Sequence, residues 1–364
     1  MRSRSTTMRL SAAVAATALM LTACGGDTEG EDTEGEAGEE AGSYSIGITQ
    51  IVAHPSLDEA RDGFKAAFED AGAEVEWDEQ NAQGEQATAS NIAGTFATSD
   101  MDLIHAIATP TSQAAAQAIT DKPIVFSAVT DPEEAGLVDS WEEPGGNITG
   151  ASDLNPVMEQ FELLQEIAPD VETVGIVYSS GETNSAVQVE LAQEAADELG
   201  LEIQEATVSN SSEVQQGVES LNVDAIWVPT DNAVVSALES VLQYGQQNSI
   251  PVIASEGDSV IRGSVATYGI NYAALGRQAG EMALRILEDG EDPATMAVET
   301  QETLELIVNP EAAEAMGVEL DQELLDRADV VVGEDVEAED PAEADEAEGD
   351  EDAEDEDTEE EEDE

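Results

Sequence analysis

Short polar side chains stand at the carboxyl ends of a series of short apolar runs, and this spacing is the chain's main chemical resource. The clearest case is Asp224-Ala225-Ile226-Trp227-Val228-Pro229-Thr230-Asp231-Asn232. Ala225 to Val228 is too short for a helix and reads as a buried strand. Pro229 stops it, and Thr230, Asp231 and Asn232 can cap a helix over 233–247. Comparable ends carry Thr49 with Gln50, Thr109 with Thr111, Ser127 with Ala128 and Thr130, Ser179 with Asn184 and Ser185, and Ser255 with Glu256. Asp153 follows another such run. In open parallel sheets this is the edge where ligands bind. Each residue alone serves equally well as a helix cap. Together they form rims of hydroxyls, amides and helix N-termini, which suit a carboxylate. No Lys or Arg lies at these ends, so the expected grip on an anion is by hydroxyl and main-chain N–H groups.

Catalytic arrangements are missing from the pattern. There is no Gly-x-Ser-x-Gly elbow, no phosphate-binding Gly-Lys-Ser/Thr and no His-x-x-x-His. The histidines, His54 before Pro55 and His105 inside an apolar run, read as structural. The chain is therefore expected to be a binding protein rather than an enzyme, with no cofactor and no metal.

The elements that must carry the rims alternate strand and helix from Tyr44 to about Arg327, an α/β signature. Strands are expected at 46–49, 74–77, 103–108, 123–129, 148–153, 174–178, 201–208, 225–228, 251–254 and 304–308. Helices are expected at 57–71, 86–98, 112–119, 184–199, 212–221, 233–247, 273–287 and 310–316. Asp102 to Pro110 parallels Asp224 to Thr230, and Lys122 to Ser127 parallels Ile250 to Ser255. This duplicated unit predicts two similar doubly wound parallel-sheet lobes facing each other across a hinge. Glu142 to Asn147 is a turn-rich break and marks the first crossing. The expected division is 43–148 plus 272–298 for lobe 1 and 149–271 plus 299–330 for lobe 2.

The ends are of another kind. Arg2, Arg4 and Arg9 precede an apolar stretch from Leu10, which closes on Leu21-Thr22-Ala23-Cys24. Residues 1–23 read as an export signal, too short for a mature membrane span. Leu-Thr-Ala-Cys resembles a bacterial lipobox, making Cys24 the expected lipidation site, and two acyl chains suffice for a stable anchor. Residues 24–42 read as an acidic tether and 331–364 as a disordered acidic tail.

The 364-residue chain holds 84 Asp and Glu against 10 Lys and Arg, a formal charge of −74. Twenty-two of the acids lie from Gly333 onward and 8 in residues 25–42, so 54 belong to the folded region. Molar salt, with a Debye length of about 3 Å, would screen their repulsion, which points to a halophilic source, with cation binding by the tail as the alternative. Nucleic acid is a poor partner for such a field.

Ile46 to Pro55, Ala108-Thr109-Pro110, Phe126 to Pro132, Pro144 to Gly150 and Val228 to Asn232 resemble, in order, the lipoprotein substrate-binding proteins of ATP-binding-cassette importers, of the tryptophan/tyrosine type. The resemblance spans about 44–320. It implies a periplasmic-binding-protein type I fold, three crossings between lobes, and capture of a small molecule, an aromatic amino acid first among the candidates. It also implies a lipid-anchored monomer on the extracytoplasmic face of the membrane, delivering to importer permease subunits. The alternative is a ligand-sensing lipoprotein of the same fold that signals to a membrane partner. For such a ligand, Asp231 is the first expectation as ammonium partner, with Asp153 and Glu256 as rivals. Ile51, Pro110, Tyr178 and Tyr268 are the candidate walls for an aromatic ring.

Overall fold

The computed structural model describes residues 43–301, 303–333 and 336. The expected signal peptide, Cys24, the tether and nearly all of the acidic tail lie outside them.

Lobe 1 opens with β1 (Ser43–Gln50), α1 (Pro55–Ala71), β2 (Glu74–Asn81), α2 (Gln86–Thr98), β3 (Leu103–Ile107), α3 (Thr109–Ala118), β4 (Ile124–Ser127) and β5 (Ile148–Ser152). Lobe 2 follows with α4 (Val157–Ile167), β6 (Thr173–Ser179), α5 (Thr183–Leu199), β7 (Glu202–Val208), α6 (Val214–Glu219), β8 (Ala225–Val228), α7 (Asn232–Val235), α8 (Leu238–Asn248), β9 (Val252–Ala254), α9 (Gly257–Ile261) and β10 (Ala266–Gly269). The chain returns to lobe 1 for α10 (Tyr272–Leu284) and β11 (Glu299–Thr300). It ends in lobe 2 with β12 (Glu305–Val308), α11 (Pro310–Ala315), α12 (Gln322–Arg327) and β13 (Val330–Val331).

The lobe 1 sheet runs β11-β5-β4-β3-β1-β2, with every pairing parallel. Lobe 2 has a parallel sheet β7-β6-β8-β9 and a second sheet β10-β12-β13, whose β10 and β12 are antiparallel. The two sheets adjoin where Val265 N–H donates to the Val252 carbonyl at 2.7 Å.

The duplication holds at the level of single hydrogen bonds. Asp102 Oδ2 accepts from Ser45 N–H at 2.8 Å, tying the start of β3 to β1. Asp224 Oδ2 accepts from Thr173 N–H at 2.9 Å, tying the start of β8 to β6. Likewise Ile104 N–H donates to the Pro123 carbonyl at 3.0 Å, and Ile226 N–H to the Pro251 carbonyl at 2.9 Å.

Several boundaries differ from the sequence reading. Ile148 to Ser152 pairs with β4 from Ile124↔Ile148 to Ser127↔Ala151, so the chain leaves lobe 1 after Ser152 rather than at 148. β11 pairs with β5 and also belongs to lobe 1, which moves the third crossing beyond Thr300. The first difference comes from treating the turn-rich break at 142–147 as a lobe boundary; that break is only the turn into β5. The helix expected over 233–247 is two, α7 and α8, because Ala237 N–H donates to the Val234 carbonyl at 3.0 Å and tightens the turn between them. Helices α4, α9 and α12 have no counterpart in the sequence reading. Folded chain also continues past 330: Val332 N–H donates to the Val308 carbonyl at 2.9 Å.

Each lobe has its own core. In lobe 1, Leu57, Ala60, Phe64, Ala67 and Phe68 form the buried stripe of α1, and Phe64 and Phe68 pack edge-on against Trp77 of β2. In lobe 2, Trp227 is fully buried against Phe161 of α4. The Trp227 Nε1–H donates to Gln160 Oε1 at 3.0 Å, and the Gln160 amide donates in turn to the Tyr268 carbonyl at 2.7 Å. That bridge ties β8 to β10 below the strand ends. Across lobe 1, α1 and α10 approach backbone to backbone at Gly63, Gly276 and Gly280. The crossing fixes where the N-termini of both helices emerge.

Candidate functional site

Both lobes direct the carboxyl ends of their parallel strands at the space between them, and the lobes touch there. Ser56 Oγ of lobe 1 donates to Glu256 Oε2 of lobe 2 at 2.8 Å. Gln86 Nε2 reaches the Gly181 carbonyl at 3.0 Å, and Gln113 Nε2 reaches Thr183 Oγ1 at 3.3 Å. The arrangement is closed. Between the lobes lie two cavities that share Asn232 in their walls. The inner, about 10 Å³, has room for roughly one water. The outer, about 360 Å³, falls in the ~300–1,000 Å³ range of small-molecule sites.

Six of the thirteen expected binding residues line the inner cavity: Ala128, Asp153, Asn184, Thr230, Asn232 and Glu256. The other seven sit behind it. Gln50 donates to the Val52 carbonyl and to Asp58 Oδ1, both at 2.8 Å, and so orders the loop after β1. Thr111 Oγ1 donates back to the Ile107 and Ala108 carbonyls. Ser127 Oγ bonds His105 Nε2 at 3.0 Å. Thr49 and Thr109 are buried, their hydroxyls unpartnered among the described residues.

Asp231, the first expectation for an ammonium partner, is turned inward with Ser185. Its Oδ2 accepts from Ser179 N–H at 2.5 Å and Ser185 Oγ at 2.6 Å, and its Oδ1 from Val234 N–H at 2.9 Å. It caps α7 and ties that helix to β6 and α5, so the plain capping role prevails.

The sequence reading passed over His54, Ser56, Ala108 and Tyr272 in the inner wall and Glu182 in the outer. The signal was available for two of them. His54 directly precedes a helix, and Glu182 follows β6 at a strand end, as Asn184 and Ser185 do. Of the proposed aromatic walls, Ile51 and Pro110 line the outer cavity. Tyr178 instead donates its hydroxyl to Glu205 Oε2 at 2.9 Å on the β7 side, and Tyr268 packs against the lobe 2 core.

The helices around the cleft differ in how their N-termini are finished. α7 and α9 are capped by their own Asp231 and Glu256 side chains. α1, α3 and α5 begin at His54, Ala108 and Glu182 without a side-chain cap, and free helical N–H groups with a positive dipole end attract anions. Ala108 and Ala128 hold φ of 79° and 56° at the ends of β3 and β4. Backbone strain of this kind in non-glycine residues costs about 1–3 kcal/mol each and concentrates at ligand sites.

The titratable groups carry little charge to spare. Burial, with Arg262 adding, pushes the His54 imidazole down to about 3, leaving it neutral. Its Nδ1 is buried without a partner among the described residues, as is Asn184 Oδ1 on the opposite wall. Buried orphans of this kind in a cavity wall are what a ligand would satisfy. Burial raises the Asp153 carboxyl, against the hydrogen bonds from Tyr272 and Thr130. Burial and the neighbouring Asp231 push Glu182 up to about 7.

The sequence model of the ABC transporter substrate-binding proteins matches residues 45–332. The chain belongs to that family. Members are substrate-binding proteins, which accounts for the absence of a catalytic constellation. Over 281 residues, 76% of this chain and 81% of its counterpart, the chain is 42% identical to a tyrosine-binding protein of Clostridioides difficile. It is 34% identical to an ABC domain from Streptococcus pneumonia solved in complex with L-Trp, with a TM-score of 0.77 over 80% of this chain and all of that one. A substrate-binding protein with adhesive properties from Clostridium difficile, solved ligand-free and open, is 42% identical, with a TM-score of 0.62 over 79% of this chain and 99% of that one. The less identical relative superposes better, as expected if two rigid lobes differ in closure and this substrate-binding protein is in the closed arrangement.

Proposed function

We propose that this substrate-binding protein captures an aromatic amino acid between its lobes and delivers it to an ABC importer from a lipid anchor on the extracytoplasmic face of the membrane. The observation that carries the ligand class is the 42% identity, over 81% of its length, to a protein named for tyrosine binding. The site chemistry agrees with that class. Uncapped N-termini of α1, α3 and α5 offer N–H groups to a carboxylate, and the outer cavity is large enough for a ring against Ile51 and Pro110. The hinge is the three crossings, at 153–156, at Ile270–Asn271 and after Thr300. Ligand bridging both rims makes the closed form dominant. Leu21-Thr22-Ala23-Cys24 supports the anchor.

A thermal-shift panel of the twenty amino acids at molar salt tests the ligand. Tyrosine or tryptophan should stabilise the protein by about 2.7 kcal/mol at a hundred times its Kd, rising with concentration. Stabilisation by none of the aromatic members would overturn the ligand class. Small-angle scattering should show contraction on saturation; unchanged dimensions would remove the hinge. Expression of the full chain with Cys24→Ser should move the protein from the membrane fraction to the soluble one, and retention at the membrane would refute the anchor.

A further inference from the structure

We infer that Glu182 is the residue that receives the ligand's ammonium group, an assignment that rests on the amino-acid reading above. Five carboxylates stand close enough to the cleft to compete; Glu85 is exposed on the lobe 1 side of the outer cavity, and hydrogen bonds separate the other four. Asp153 accepts from Thr130 Oγ1 at 3.1 Å on one oxygen and from the Tyr272 hydroxyl at 2.9 Å on the other. Glu256 accepts from Ser56 on one oxygen and from Ser259 on both. Both oxygens of Asp231 are taken within lobe 2. In Glu182 all hydrogen bonds among the described residues fall on Oε2, from Asn184 Nδ2 at 3.1 Å, Asn232 Nδ2 at 2.6 Å and Asn232 N–H at 3.3 Å. Oε1 is left for a ligand.

The same two asparagines point to what is missing. Asn184 is 5% exposed, lines the inner cavity and has an unpartnered Oδ1, a second acceptor beside Glu182. An ammonium group has three N–H donors and no acceptor, so a carboxylate oxygen next to an amide oxygen suits it. Size agrees as well. Asp153 and Glu256 line the cavity with room for only about one water, whereas Glu182 lines the one that could hold a side chain.

Charge supplies the drive. Glu182 and Asp231 are neighbouring carboxylates, and among the described residues no ion pair reaches either. All seven basic side chains beyond residue 24 pair with other carboxylates: Arg61, Lys65, Lys122, Arg262, Arg277, Arg285 and Arg327. The other titratable groups facing this corner are His54, neutral in the closed form, and exposed Glu85 on the lobe 1 side of the outer cavity. A ligand cation would relieve the like-charge pair and stabilise the ionised Glu182.

The test compares amino acids with their des-amino counterparts on the full chain at molar salt. Tyrosine is paired with 3-(4-hydroxyphenyl)propionate and tryptophan with indole-3-propionate, by calorimetry on wild type, Glu182→Gln, Asp153→Asn, Glu256→Gln and Glu85→Gln. Glu182→Gln should weaken the amino acid about 10- to 100-fold, the range for losing a charged hydrogen bond, and leave the des-amino acid within about threefold. The wild-type preference for the ammonium-bearing ligand then collapses in this variant and persists in the other three. An equal loss for both ligands would make Glu182 merely structural, and no loss, or collapse in another variant instead, would overturn the assignment. Wild type that binds some other amine-bearing amino acid but no aromatic one refutes only the ligand class, and Glu182→Gln is then read against that ligand. Binding of no amine-bearing probe at all refutes the assignment too.

Discussion

Gly276→Ala is expected to destabilise the protein by about 3 kcal/mol or more, the upper end of what overpacking does. A Cβ there would sit 1.9 Å from the Ala60 carbonyl oxygen and 2.7 Å from the Ala60 Cα. Both are backbone atoms of α1, so no rotamer change can relieve the contact and the helices must separate. The reciprocal site is as tight: a Cβ on Gly63 would lie 2.0 Å from the Ala273 carbonyl oxygen. Gly94→Ala is the internal control. It lies on the exposed side of α2, where an added Cβ meets nothing within 4 Å, and removing a helical glycine should stabilise by about 0.5–1 kcal/mol. One substitution type is thus expected to act with opposite signs in two helices. Denaturant midpoints at constant m-value read the difference, and a Gly276→Ala protein within 0.5 kcal/mol of wild type would mean that the crossing is loose. The consequence reaches the site, because α1 begins beside His54 and Ser56 and α10 begins at Tyr272. A variant that folds with its helices displaced should also bind ligand less tightly.

The crossing shows where sequence reasoning stops. The apolar stripe of α1 was legible from its 3.6-residue period, since Leu57, Ala60, Phe64, Ala67 and Phe68 recur on one face. Gly63, on the edge of that stripe, signals nothing by itself, because its partner Ala273 lies some two hundred residues away. The same contrast runs through the cleft. Strand ends were legible because an apolar run closed by Thr, Ser, Asp or Asn has few other interpretations, and the paired motifs Asp102–Pro110 and Asp224–Thr230 revealed the duplication. The direction in which each polar group turns was not legible. Asp231 and Asn232 are adjacent and look equivalent in sequence. One is locked by Ser179, Ser185 and Val234, whereas the other faces both cavities. Only the register of β6 beside β8, which brings Ser179 and Ser185 to Asp231, decides between them. Glu182 also follows a strand end, but in a chain with 84 acidic residues that position does not single out one more glutamate. It is distinguished by its partners alone.

Acid should act on lobe 1 through His105. The ring is fully buried on β3, stacked on Phe64 at 3.8 Å and bonded through Nε2 to Ser127 Oγ. Burial holds it down to about 3, against about 6.5 in an unfolded chain. Below pH 6.5 the unfolded chain takes up a proton that the folded one refuses. The stabilisation is therefore complete above pH 6.5 and declines as pH falls toward 3, by about 1.4 kcal/mol per unit and about 5 kcal/mol in all. The many surface carboxylates complicate a direct reading, since protonating them relieves repulsion over part of the same range. The difference between wild type and His105→Asn isolates the ring, because the carboxylates and His54 titrate in both proteins. Asparagine can keep a hydrogen bond to Ser127 but leaves space beneath Phe64, so the variant should be the less stable at pH 7. Between pH 7 and pH 4 that deficit should shrink or reverse, by about 3 kcal/mol. Chemical denaturation of both proteins at the two pH values, in molar salt, measures it, and an unchanged deficit would show that the folded state admits the proton. The outcome bears on binding as well as folding. Ser127 is followed directly by Ala128, whose φ of 56° places it in the inner cavity wall. A proton on His105 would place a buried, unpaired charge against Ser127 of β4, one residue before the chain enters the cleft, so the rim of lobe 1 should loosen before the lobe unfolds.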